Sequence, residues 1–457
     1  MKALFSLLFS MLVIASCSTH ENLQELRLLD SNTKERVSQI GISQNSTKIT
    51  PEEAAMVAYI DRFGAIQTKS EIRTAVSSTS PILGEDGDTL MYVIQYADQQ
   101  GYMVVSATKN YHPILVDVEH GEYNPNQISQ SGASLYYDAY KNAISSSQEL
   151  PEDQLAQIRM QWSPYEEHIE PIRPKTKSSN DDLISLLEAS IEEWEAEGYN
   201  YYFLWQCPNY LPEDIYNRFV SIAEGMSNEN YDIYENCVIL ERRVDSQTNI
   251  GPLLETEWNQ HRFNHNNQNV YTGCATVAVG QILAFHKYPT YYNWDGIFSS
   301  DTTCRLFLED LAYDLDSNFG EDGTGNNINN VRDFLTQISY TCSRIDHNSN
   351  TVLSSLRSEK PVYMRGTNQN NEGHAWVCDG YRSRTSSFHF ILKVISPAEP
   401  LCYETADSYS TSSGNSHFHM NLGWGGFNNG YYYDTTYDTD LEFDASRKDL
   451  VNISPNL

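Results

Sequence analysis

Apolar residues first recur at helical spacing after Thr50-Pro51-Glu52-Glu53, where Met56, Tyr59, Ile60 and Phe63 follow the i, i+3, i+4, i+7 pattern of a buried face. Thr50 is placed to cap this helix, Pro51 suits its first turn, and Glu53 completes a capping box. The period then shortens. Leu90–Tyr96 and Gly101–Ser106 are β-rich runs separated by a polar stretch, which predicts an antiparallel hairpin, and Pro113–Val118 adds a third apolar run. A helix against a small antiparallel sheet makes an α+β unit of residues 48–150.

Residues 168–180 mix proline, basic and small polar residues, the composition of an exposed linker open to proteolytic nicking. A second amphipathic helix follows, with Leu183, Leu187, Ile191 and Trp194 on one face and Gly198 as its stop. No chemistry attaches to residues 181–245, which read as a connector. Farther on, Ala275, Ala278, Val279 and Ile282 recur at helical spacing up to the limit set by Pro289. Lys360–Gly366 and His374–Asp379 read as strands.

The start of the chain is different. Lys2, the apolar run Ala3–Ile14 and the small residues before Cys17 predict a signal peptide over residues 1–17, too short to favour a permanent span. Small residues directly before Cys17 resemble a bacterial lipoprotein cleavage box, which implies a lipid on that cysteine; an ordinary signal peptide containing Cys17 is the other reading. Residues 18–47 are polar and fit a tether.

Composition narrows the function. At 457 residues the chain is long enough for two or three domains. A net charge of -31 excludes nucleic acid as a natural partner, because phosphate binding needs clustered Lys and Arg. Setting Cys17 and Cys274 aside, six cysteines remain, which permits disulfides in an exported chain without fixing their pairing. None shows C-x-x-C spacing, so zinc is not expected, and no other metal or organic cofactor is implied.

Cys274 opens the predicted helix at 275, with Gly273 allowing a tight entry. Unpaired N–H groups and the macrodipole favour negative charge there, so the thiol pKa is expected to fall and the thiolate to be a nucleophile. A buried structural cysteine fits the segment equally well. His286 lies twelve residues along the same helix and is too far to be its base. His374, in Gly373-His-Ala-Trp, is the candidate base. Asn421 can fix an imidazole as a third triad member does, and Trp424, among glycines, can shield that contact. Gln260 can donate to an oxyanion together with the Cys274 N–H. Each signal alone has a structural explanation; their order along the chain does not.

That order resembles the streptopain family of papain-like cysteine peptidases. The matching phrases are Pro252-Leu-Leu with Trp258-Asn-Gln260, Thr272-Gly-Cys-Ala-Thr with Gln281-Ile and His286-Lys-Tyr-Pro289, and Asn293-Trp-Asp295. Further matches are Lys360-Pro-Val-Tyr363, Gly373-His-Ala-Trp-Val with Asp379-Gly380, and Asn421 with Gly423-Trp-Gly-Gly426. Upstream, Tyr92-Val-Ile, Gly101-Tyr-Met-Val-Val-Ser-Ala107 and His112-Pro-Ile-Leu115 resemble the family's pro-domain, also found as stand-alone inhibitors.

The resemblance implies an α+β chain: a papain-like two-lobe catalytic domain over residues 250–457, preceded by a small α+β inhibitory pro-domain over 48–150. Residues 151–249 become a linker and extended pro-region. It also implies a latent, exported cysteine endopeptidase acting on protein or peptide substrates, held inactive by its own pro-region. Arg173–Lys177 or Arg242-Arg243 are the candidate activation cuts. Two departures stand out. Leu422 replaces the family's tryptophan, and Ser383–Ser416, rich in Ser and Thr, reads as an inserted loop between His374 and Asn421. An exported binding or inhibitor protein with an inactive peptidase fold, and a transglutaminase or amidase using the same dyad, are the rival classes.

Overall fold

A computed structural model describes residues 35–43, 46–166, 168–171, 190–204, 211, 213–226, 237–320, 323–367, 373–396, 402–434 and 447–456. Cys17, the signal region and the Arg173–Lys177 cut lie outside the described residues, as does most of the helix expected from Leu183. Among the described residues no helix is long and apolar enough to cross a membrane.

One antiparallel sheet of twelve strands runs through the described residues. In chain order these are β1 (Val76–Leu83), β2 (Thr89–Tyr96), β3 (Tyr102–Ser106), β4 (Ile114–Val118), β5 (Asn200–Phe203) and β6 (Cys237–Ile250). They continue as β7 (Tyr340–Asp346), β8 (Val362–Thr367), β9 (Gly373–Ser396), β10 (Cys402–Asn421), β11 (Gly430–Tyr433) and β12 (Lys448–Pro455). The spatial order is β7-β12-β8-β9-β10-β11-β4-β3-β2-β1, with β6 pairing β9 and β5 pairing β6.

The N-terminal unit forms as its pattern predicts. Helix α1 (Pro51–Phe63) opens on a full capping box: Glu53 N–H donates to Thr50 Oγ1 at 3.2 Å and Thr50 N–H to Glu53 Oε2 at 2.9 Å. Its buried face is Ala54, Ala55, Val57 and Ala58; of the predicted apolar set, Met56, Tyr59 and Ile60 are only a partly buried flank and Phe63 is exposed. The helix packs on β2 and β3 around Tyr92, Ile94, Met103 and Val105. Part of the expected tether belongs to the fold: Glu35–Gln39 pairs antiparallel with His168–Pro171, and Ile42 is fully buried.

This unit does not stand apart. Strand β4 pairs with β11, making the N-terminal strands part of the same sheet, and helix α2 (Ala133–Ser146) packs Leu135 and Tyr136 into one core with Trp376, Met420 and Leu422. Helices α3 (Glu213–Met226), α4 (Cys274–His286), α5 (Trp294–Ser299), α6 (Asp301–Asp314), α7 (Ile328–Gln337) and α8 (Ser349–Arg357) follow. A second core gathers α4, α5, α6 and α7 against the opposite face of β8, β9 and β12.

The expected inserted loop is instead a β arm. Strand β9 spans 24 residues and pairs with β10 along its length. Its other edge carries β8 over Gly373–Cys378 and then β6 from Tyr381 to Val394. Phe388, Phe390 and Leu392 alternate along β9 and bury one face against Ile239, Ile215 and Phe219 of the supposed connector. Val238 and Leu240 face the other way, into a small core with Trp194, Tyr199 and Phe203. The two unexplained segments are therefore each other's partners. This also corrects two expectations: residues 237–249 are a strand of the sheet that holds His374, and Arg242-Arg243 sits mid-strand, paired with His389 and Phe388. A protease needs an extended, unpaired backbone, and that dipeptide does not offer one.

Candidate active site

Cys274 is the first residue of α4, a helix buried continuously from Ala275 to Ala284. Gly273 enters it at φ 93°, a conformation that favours glycine, and a Cβ there would stand 3.0 Å from the Thr324 carbonyl oxygen. The backbone N–H groups of Ala375, Ala275 and Cys274 itself lie beside the thiol and favour its charged form. Burial nevertheless pushes its pKa up. The expected fall at a helix N-terminus is therefore overturned in this arrangement: desolvation outweighs the donors and the nearby Arg365 charge. The thiol is held protonated.

The donor at Ala375 matters most for geometry, because it belongs to the peptide group joining His374 and Ala375. The backbone at His374 is thus brought to Cys274, 100 residues away in the chain, while the two side chains lie on opposite faces of the sheet. His374 is half-buried and lies opposite Gly366 in the β8–β9 register, with Ala375 opposite Arg365. The pleat alternates their directions. Ala375 faces the α4 core with Tyr363 and Val377, whereas His374 shares its side with Gly366, which borders Leu135, Trp376 and Arg447. Helix α2 of the N-terminal unit lies on that side.

Asn421 ends β10, opposite Val377, and is buried. Its Oδ1 accepts from Gln281 Nε2 at 3.0 Å and from Gly423 N–H at 3.3 Å, and its Nδ2 donates to the Thr256 carbonyl at 2.7 Å. These are different partners from the imidazole expected of it. The amide instead ties the Cys274 helix to the strand end and to the segment before the nucleophile. Gln281 extends the chain, its Oε1 accepting from Trp258 N–H at 3.0 Å. Sequence reasoning gave Gln281 no role, but a fully buried amide inside an apolar helix is a signal that it is satisfied by something specific.

Gln260 and Trp424 are half-buried and close to one another. Asn259 and Trp424 form a β-bridge, and Gly425 N–H donates to the Trp258 carbonyl at 3.1 Å. The Trp424 ring packs against the core shared with helix α2, as Leu422 does. Asp379, fully buried, fixes the same region: its carboxylate accepts from Leu254 N–H at 3.1 Å and pairs with His419 Nδ1 at 2.6 Å. Cys274, Cys304, Cys342 and Cys378 are free thiols.

Residues 298–432 match the Peptidase C10 family, and residues 46–144 match the Spi protease inhibitor family. The first match covers His374, Asn421 and Trp424; Cys274 and Gln260 lie upstream of it. The thiol protease/hemagglutinin PrtT of Porphyromonas gingivalis is 25% identical over 286 residues, covering 47% of this chain and 29% of that protein. The chain thus spans less than a third of that relative's length. Among solved structures, a fragment of Prevotella intermedia prointerpain A aligns with a TM-score of 0.42 at 14% identity, covering 82% of this chain and 98% of the fragment. Active interpain A of the same organism aligns with a TM-score of 0.30 at 16% identity, covering 44% and 94%.

Proposed function

We propose that this chain, which carries a C10 cysteine peptidase domain behind a Spi-type protease inhibitor region, is a latent, exported cysteine endopeptidase. The observation that carries the reading is the Cys274 thiol at a helix N-terminus, against the peptide group that follows His374. Residues 48–150 serve as the inhibitory pro-region, and the C-terminal part from about 250 is the catalytic domain. Residues 1–17 direct export, with a lipid on Cys17, and the substrates are proteins or peptides.

In the active state the Cys274 thiolate attacks the scissile carbonyl carbon, forming the C–S bond. The resulting oxyanion is held by the Cys274 N–H and the Gln260 amide. His374, carrying the thiol's proton, protonates the leaving amine as the C–N bond breaks. The neutral imidazole then takes a proton from water, which attacks the thioester and releases the acid and the thiol. Asn421 acts as a positioning residue through Gln281 and Thr256, and Trp424 shields the cleft. The raised thiol pKa and the helix α2 contacts beside His374 support latency. Removal of the N-terminal unit frees that side of the sheet, and the cut falls before Ser190, since the chain from there builds the β arm.

The test is Cys274→Ala in the full chain. Peptide hydrolysis and self-processing should both disappear, with labelling by a cysteine-directed epoxide lost in parallel. Undiminished hydrolysis by the variant would end the proposal.

A further inference from the structure

Arg365 stands in β8 directly opposite Ala375, whose N–H meets the Cys274 thiol. Directly opposed residues in an antiparallel pair lie about 4.5–5.5 Å apart at Cα, so the guanidinium starts one strand away from the nucleophile. Its side of the sheet is settled by its neighbours. A Cβ on Gly373 would stand 3.6 Å from the Arg365 Nη2 atom, and Tyr363, two residues back on the same face, belongs to the core around α4. The side chain thus lies along the strand that leads into His374, on the nucleophile's side.

It is half-buried, and it has no carboxylate partner or hydrogen bond among the described residues. The contrast with the other arginines of comparable burial is complete. Arg62 and Arg382 both pair with Asp117, Arg159 with Glu152, and Arg447 with Asp434. The strand on its far side offers no relief, since Lys448 lies opposite Arg365 there and is itself taken by Asp346. A cation withdrawn from water without a partner is costly, and in a chain of net charge -31 an unpaired one is not a shortage of carboxylates.

Resting on the peptidase reading above, we propose that Arg365 binds a carboxylate of the substrate beside the scissile bond, so that the enzyme prefers an acidic group next to its cut. A planar guanidinium suits bidentate capture of a carboxylate. The carboxylate has two possible sources, an Asp or Glu side chain or the C-terminus of a short peptide. Arg365 is a specificity-determining residue here; the general base and the nucleophile remain His374 and Cys274.

The experiment compares kcat/KM of the activated enzyme and of Arg365→Gln on peptides that differ only in Glu against Gln beside the cut, and in a free against an amidated C-terminus. The parent should favour the Glu peptides by about tenfold, the amount of one good charged contact, and Arg365→Gln should bring that ratio close to one, mostly through KM. Arg365→Lys should keep part of the preference. A preference for the free C-terminus that Arg365→Gln abolishes would place the carboxylate at the chain end instead. Equal losses on all peptides, with the ratios intact, would give Arg365 to the thiolate alone and overturn the proposal. Binding of the same peptides to the Cys274→Ala chain, its N-terminal unit cut away by trypsin at Arg173–Lys177, reads the preference without turnover. If the parent cuts none of them while binding still discriminates, the peptidase reading fails and this one survives.

Discussion

His417 offers a quantitative test of how the N-terminal unit is held. It lies on β10, is buried, and its Nε2 donates to the Ile114 carbonyl of β4 at 3.0 Å. Burial, reinforced by the Arg382 charge, pushes its pKa down to about 3. The groups around it are Arg382, Asp117, His112 and the Tyr433 ring. In the docked chain the imidazole is therefore neutral, whereas an exposed one takes a proton near pH 6.5. The sign follows: the separated or unfolded state binds more protons below pH 6.5, so docking weakens as pH falls from there towards the folded pKa. At pH 5 the penalty is about 2 kcal/mol, from about 1.4 kcal/mol per pH unit over 1.5 units, or roughly thirtyfold in the equilibrium. Full-length protein carrying Cys274→Ala, which cannot process itself, is unfolded in urea between pH 7.5 and pH 5 and compared with the same protein carrying His417→Gln. The glutamine amide can still donate to Ile114 but cannot be protonated. Its stability should fall less steeply with acid, by about 2 kcal/mol over that range. Parallel curves would refute the assignment. His347 works in the opposite direction, its pKa raised against burial and Arg447 by the neighbouring Asp434 carboxylate and by the hydrogen bond it donates to Asp449, but it is common to both proteins and cancels.

Two further outcomes follow from the same contacts. Gln281→Leu keeps the volume of a buried helical side chain but leaves Trp258 N–H unpaired and removes one donor from Asn421; it should cost about 2–4 kcal/mol in urea unfolding, and a loss under 0.5 kcal/mol would remove Gln281 as a clamp. Trypsin applied to the Cys274→Ala chain should leave Arg242-Arg243 uncut for as long as β6 stays paired, and a peptide ending at either arginine in an early mass-spectrometric time point would show the strand to be open.

The elements written locally in the chain were the readable ones. Thr50 and Glu53 cap α1 through neighbours three residues away, and Gly273 with the apolar run after Cys274 marks α4, because both depend on short-range spacing. Ser383–Ser416 misled for the opposite reason. Its Ser and Thr suggest a loop, and the alternation of Phe388, Phe390 and Leu392 gains meaning only when Ile239, some 150 residues earlier, closes over them. The thiol pKa failed similarly: the helix terminus is visible in sequence, but the depth of burial is not. Asn421 shows a third limit. Its position in the phrase Asn421-Leu-Gly-Trp was legible, yet its partners Gln281 and Thr256 come from two other elements, and no spacing rule reports them.

The length of β9 has a consequence for the cleft. His374 and Ala375 begin the same continuous strand whose far half is gripped from Tyr381 to Val394 by β6. A slip of one residue would invert every side chain along it. Phe388, Phe390 and Leu392 would be turned out of their core, each at about 1.5–3 kcal/mol, before His374 and Ala375 could exchange places. The arm thus works as a vernier for the strand that bears His374: its phase is set some 15 residues farther along, by the packing of Phe388, Phe390 and Leu392.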